Sequence, residues 1–73
     1  MGFTMTAAQM KKYLASKGFR AISQRGSHVK MTNGIDTTIV PMHVRDLAPG
    51  TLRGILSDVR LSVADAKKWT GKE

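Results

Sequence analysis

Two stretches of this chain carry apolar residues at helical spacing. The first follows the segment from Thr6 to Gln9, which has the composition of a capping box, and Gly18 suits the left-handed residue that ends a helix. We therefore predict a first helix over about residues 6–17 and a second one that begins at Pro49-Gly50-Thr51, with Thr51 as its N-cap, and ends near residues 61–62. The apolar positions that carry the two predictions are Met10, Tyr13 and Leu14, then Leu52, Ile55, Leu56 and Val59.

Between the two helices the pattern is that of β-strands. We predict strands over residues 19–24, 27–32 and 37–40, separated by breaks at Arg25-Gly26 and Asn33-Gly34. Pro41 lacks a backbone donor, which places the third strand at a sheet edge. In the second strand, period-two alternation puts Val29 and Met31 toward the helices, and His28, Lys30 and Thr32 on the opposite, open face.

These elements predict one α+β domain over residues 1–73. Its order is α-β-β-β-α, with a three-stranded antiparallel sheet and both helices packed on one face. Residues 63–73 form a C-terminal extension, in which a short helix over about residues 63–69 carries Trp69. This extension could contact a partner, contact a second copy or cap the core, and we favour the cap.

The charge of the chain narrows the classes of partner that it is expected to bind. The net charge is +7, there is no cysteine, and the first 35 residues hold six basic side chains but no acidic one. Such a surface favours nucleic acid first, an acidic protein second and an anionic membrane third, while the plainest alternative is a basic surface without a cognate anion. Because no apolar run approaches the ~18 residues of a membrane span and no signal peptide is evident, we expect a cytoplasmic protein. The six residues are Lys11, Lys12, Lys17, Arg20, Arg25 and Lys30.

The candidate chemistry lies in residues 25–30. His28 can act as a general base near neutral pH, Arg25 or Lys30 can bind a phosphate, Gly26 lets backbone approach it, and Ser27 adds a donor. RNA supplies its own nucleophile, the 2′-hydroxyl, so its cleavage at such a site needs no metal or cofactor. The general acid stays unassigned, because the sequence does not place the second histidine, His43, beside the first.

Other sites are poorly supported. Two histidines fifteen residues apart, without cysteine, resemble no usual metal ligand set. There is no phosphate-binding P-loop, and Ser27 lacks the G-x-S-x-G context of a hydrolase nucleophile. A lone histidine on a strand of a small basic domain is, moreover, more often an ordinary surface residue than a catalyst.

Four segments together resemble the HicA (YcfA-like) toxins of bacterial type II toxin–antitoxin systems. The resemblance runs from about residue 5 to residue 62, and its order and spacing are more specific than any single motif. The segments are Lys17-Gly18-Phe19, Gly26-Ser27-His28, Val40-Pro41-Met42-His43 and the run from Pro49 to Leu56.

The resemblance implies a fold like a double-stranded-RNA-binding domain (dsRBD) and an mRNA interferase that cleaves RNA without the ribosome and arrests translation. The histidine of the family's G-S-H motif falls on His28, which makes it the implied catalytic residue; no role is carried over to His43. The implied partner is a HicB-type antitoxin, which blocks the active face and often carries the DNA-binding domain, so we expect no direct DNA binding by this chain.

Two other functions remain open at this point. One is a non-catalytic, dsRBD-like RNA-binding module, which would bind RNA in a salt-dependent way and release no fragments. The other is a structural or ribosome-associated basic protein.

Overall fold

A computed structural model describes residues 2–71 of the chain. Its elements follow the order α-β-β-β-α-α, which confirms the predicted small α+β fold of dsRBD-like type. Met1 and residues 72–73, at the ends of the predicted domain and of its extension, lie outside the described residues. The elements are α1 (Ala7–Ser16), β1 (Arg20–Arg25), β2 (His28–Thr32), β3 (Thr37–Pro41), α2 (Pro49–Asp58) and α3 (Val63–Thr70).

The three strands form one antiparallel sheet in the order β1-β2-β3. The β1–β2 register runs from Arg20 opposite Thr32 to Arg25 opposite His28, and it shifts by a bulge between Ala21 and Ser23. The β2–β3 register is regular. Because β1 and β3 are the edges, Pro41 ends a strand that has a free side, as its missing donor requires.

The hydrophobic core lies between the helices and one face of β2 and β3. Val29 and Met31 are buried there, as the alternation predicts, whereas all six β1 side chains are exposed. Burial of this kind contributes roughly 1.5–3 kcal/mol per large apolar side chain. The largest fully buried side chains are Tyr13, Met5, Met10, Leu14, Met31, Leu56 and Val40.

Thr32 departs from the predicted pattern. It belongs to the open-face set by alternation, yet only 9% of it is exposed. The β2–β3 loop encloses it, because its hydroxyl donates to the Asp36 carbonyl at 2.8 Å and accepts from the Gly34 amide at 3.0 Å. Thr32 therefore does not share the open face with His28 and Lys30, which are both exposed.

The N-termini of α1 and α2 are capped in different ways. Thr6 and Gln9 form the predicted capping box of α1, at 2.9 and 3.0 Å. The prediction that Thr51 caps α2 is wrong: Ala48 is the N-cap and makes no side-chain hydrogen bond, and Pro49 occupies the first turn. Proline has the φ of a helix and lacks an amide that would need a partner, so the helix starts three residues earlier than it would with Thr51 as its N-cap.

The C-terminal helix α3 packs on α1. Ala66 is fully buried in the core, and the Trp69 ring meets the Tyr13 ring edge-on at 5.5 Å. The Tyr13 hydroxyl donates to Asp65 at 2.5 Å, and Lys17 pairs with the same carboxylate at 2.9 Å. α3 therefore covers part of the core, in agreement with the role that we favoured for the extension.

The Tyr13–Asp65 contact shifts the pKa of both groups. Burial and then the hydrogen bond to Asp65 raise the pKa of Tyr13 above its ordinary range. The hydrogen bonds from Tyr13 and Lys17 lower the pKa of Asp65. Within residues 2–71, no helix is long and apolar enough to cross a membrane.

Candidate functional site

The open face of the sheet carries two cross-strand rows of side chains. His28 lies between Arg25 on β1 and Pro41 on β3, and Lys30 lies between Ser23 and Ile39. The alternation of the strands aims these side chains away from the core, and His28 and Lys30 are both exposed. They line a shallow depression of about 410 Å³ together with Ser23, Arg25 and Ile39.

The β1–β2 turn closes one end of this depression. Gly26 and Ser27 connect the paired residues Arg25 and His28, and Gly26 has a φ of +60°, in the left-handed region that disfavours a side chain. The Gln24 side-chain amide donates to the Gly26 carbonyl at 2.9 Å. A Cβ at Gly26 would meet nothing within 4 Å, so the glycine serves the turn's conformation and leaves its outer side open.

His43 reaches the site through the register of β2 and β3. Because His28 pairs with Pro41, the chain that leaves β3 passes beside the β1–β2 turn, where the Met42 amide donates to the Ser27 carbonyl at 2.7 Å. One residue later, the His43 Nδ1 atom lies 3.1 Å from the Ser27 Oγ atom. The His43 and His28 ring centroids are 5.6 Å apart, with 73° between the ring planes.

The electrostatics of the depression are positive. The two ion pairs found within residues 2–71 are Lys17–Asp65 and Arg60–Asp36, so neither involves the cations of the depression, Arg25 and Lys30. Their charge is available to an anion. In the same part of the chain, no group of three or more His, Cys, Asp or Glu side chains is arranged to hold a metal ion.

All five predicted site residues lie together at one end of the open face. The side chains of Arg25, His28 and Lys30 line the depression, and Gly26 and Ser27 form the turn beside it. The Ser27 hydroxyl, predicted as an additional donor, contacts the His43 ring.

Three neighbours of the site were missed by the sequence reasoning. For His43 a signal existed, the Val40-Pro41-Met42-His43 segment, but it did not indicate which residues His43 would approach. Ser23 and Ile39 carried no signal of their own. Their positions follow from the bulge in β1 and from the pairing of Ile39 with Lys30.

The fold thus defines a small basic α+β protein of dsRBD-like type. Residues 7–61, more than half of the chain, match the family model described as HicA toxin of bacterial toxin-antitoxin. The chain therefore belongs to the HicA family and is a toxin of a toxin–antitoxin system, as its motifs had suggested. Members of this family are generally RNases, and the family implies an RNA target and an antitoxin partner. Comparisons with curated proteins and with solved structures found no match.

Proposed function

We propose that this protein is a ribosome-independent mRNA interferase that cleaves RNA by histidine-dependent acid–base chemistry without a metal, and thereby arrests translation. The observation that carries the proposal is the exposed imidazole of His28, which shares an open depression with the cations Arg25 and Lys30. When a 2′-hydroxyl attacks its own phosphodiester, the reaction requires a base for the hydroxyl proton and positive charge near the phosphate, and this depression offers both.

Each residue has a distinct task in this reaction. His28 removes the proton of the 2′-hydroxyl, and Arg25 and Lys30 stabilise the negative charge that builds up on the phosphorane oxygens. The open side of Gly26 lets the RNA backbone approach the turn without a steric barrier. A positioned base contributes roughly 10²–10⁴-fold to a rate, so a site this sparse is a modest catalyst.

The partner that we propose is a HicB-type antitoxin that covers the same depression. The net charge of +7 favours an acidic surface on that partner. Ile39, which is 48% exposed and pairs with Lys30, offers an apolar contact beside the cations. DNA binding by the complex would reside in the antitoxin.

A growth assay and a cleavage assay test the proposal together. Induction of the wild-type gene should stop growth, and the purified protein should fragment single-stranded RNA in the presence of EDTA. His28→Ala should abolish both effects while its circular dichroism spectrum stays native. Lys12→Ala, which removes an exposed charge from α1, is the control and should keep both effects.

The same experiment separates the competing functions. Equal toxicity and cleavage by folded His28→Ala would refute the role of His28. RNA binding that prefers duplex and gives no fragments, even with wild-type protein, would instead support the non-catalytic dsRBD-like module.

A further inference from the structure

We propose that His43 is the general acid of the cleavage reaction and that Ser27 is the residue that positions it. This inference rests on the proposed function, because it assigns the proton donor that the base His28 requires. It is carried by one cluster, in which a hydroxyl and two imidazoles from three separate backbone positions meet at the end of the depression.

The first step of the argument is the separation of the two rings. Their centroids are 5.6 Å apart and their planes are inclined by 73°, so they do not stack on each other. An acid and a base that act on one phosphodiester must each come within about 2.6–3.2 Å of an oxygen on opposite sides of the same phosphorus. Two exposed rings at this spacing can face the two oxygens of one bound phosphate.

The second step is the orientation of His43. Its Nδ1 atom lies 3.1 Å from the Ser27 hydroxyl, which leaves Nε2 as the ring nitrogen that can meet substrate. When the imidazole is protonated, Nδ1–H donates to the Ser27 oxygen and Nε2–H is free to donate to RNA. The Met42 amide also donates a backbone hydrogen bond of 2.7 Å to the Ser27 carbonyl, which holds the segment that carries His43 against the turn that carries Ser27.

The third step is the balance of the reaction. His28 accepts the 2′-hydroxyl proton while the 2′-oxygen forms a bond to phosphorus. The bond from phosphorus to the 5′-oxygen breaks, its electron pair stays on that oxygen, and His43 supplies the proton that completes the new 5′-hydroxyl. The products are a 2′,3′-cyclic phosphate and a 5′-hydroxyl end, with His28 now protonated and His43 neutral; proton exchange with water restores the starting state.

A substrate whose leaving group needs no acid tests this assignment. After wild-type protein has been used to map a cleavage site on mixed-sequence RNA, two oligonucleotides carry that site, one with the ordinary 5′-oxygen and one with sulfur in its place. A thiol ionises near pH 8.5, far below an alcohol, so the sulfur departs as an anion without a proton donor.

His43→Ala and His43→Gln should slow cleavage of the oxygen substrate by about 10²–10⁴-fold and leave the sulfur substrate close to the wild-type rate. His43→Gln can still form a hydrogen bond with Ser27 but has no proton to give, so it separates acid catalysis from mere support of the turn. Ser27→Ala should slow only the oxygen substrate, and Ser27→Thr, which restores a hydroxyl, should recover part of that loss. His28→Ala should slow both substrates.

The outcomes are distinguishable. If His43→Gln cleaves the oxygen substrate at the wild-type rate, or if folded His43 variants lose both substrates equally, His43 is not the acid, although loss of activity in His28→Ala still supports the proposed function. If wild-type protein does not cleave mixed-sequence RNA, the proposed function and this inference are both overturned.

Discussion

Removing the two cations of the depression should weaken RNA binding in a way that depends on salt. The relevant protein is the double variant Arg25→Ala/Lys30→Ala, built on His28→Ala so that binding is measured without cleavage. Both side chains are exposed, and neither takes part in the ion pairs found within residues 2–71. We therefore expect each one to neutralise one phosphate and release the counterions bound there.

The magnitude follows from the number of phosphates neutralised. For single-stranded nucleic acid, the slope of log affinity against log salt is roughly −0.7 per phosphate, so loss of two contacts should make the slope shallower by about 1.4. Between 50 and 200 mM salt, the affinity of the His28→Ala parent should then fall roughly sevenfold more than that of the variant that also lacks the two cations. The assay is fluorescence anisotropy of a labelled single-stranded RNA at four or five salt concentrations in that range.

The control removes the same amount of charge from the other side of the molecule. Lys11 and Lys12 are exposed on α1, which packs on the opposite face of the sheet. Lys11→Ala/Lys12→Ala should leave the slope close to that of the parent. If both double variants change the slope equally, the attraction is a property of net charge alone, and the assignment of RNA binding to the depression is wrong.

Three further measurements concern stability. Gly26→Ala should lower the free energy of unfolding by about 1–2 kcal/mol, because φ is +60°. Gly54→Ala, at an exposed position of α2, should raise it by roughly 0.5–1 kcal/mol, and urea unfolding compares the two variants. Leu56→Ala, at a 2% exposed position, should cost about 2–5 kcal/mol and lower the thermal midpoint sharply. The hydrogen bond from Tyr13 lowers the pKa of Asp65 in the folded protein. The contribution of Asp65 to the free energy of unfolding is therefore fully present above the carboxyl's unfolded pKa and is lost as pH falls through the lower folded pKa. Asp65→Asn should therefore flatten the acid limb of a stability–pH curve, and an unchanged limb would contradict the assignment.

Much of the fold could be predicted because its signals are local. The capping box of Thr6 and Gln9 involves residues three apart, and the burial of Val29 and Met31 follows from the period of a strand. The α2 stripe at Leu52, Ile55 and Leu56 needs no more than helical geometry. Where two local signals competed, at Pro49 and Thr51, the predicted N-cap was wrong by three residues, because a proline that fits the first turn outweighed a possible side-chain cap.

The contacts that join distant segments could not be read in the same way. Tyr13 and Asp65 are 52 residues apart in sequence, and their hydrogen bond holds α3, which lies beyond the segment matched by the family model. Thr32 was assigned to the open face by alternation alone, yet the loop that follows it encloses its hydroxyl. In both cases the partner is supplied by chain packing, which periodicity does not encode.

In the candidate site, too, local signals predict some positions and chain packing decides the others. The sequence by itself determined that His28 and Lys30 share the exposed side of one strand, since a strand turns each second residue to the same face. Only the tertiary structure decided that His43 lies beside His28, because that proximity depends on the pairing of His28 with Pro41 and on the hydrogen bond from the Met42 amide to the Ser27 carbonyl. Local stereochemistry thus places the first imidazole on the open face, and strand register across the sheet places the second imidazole beside it.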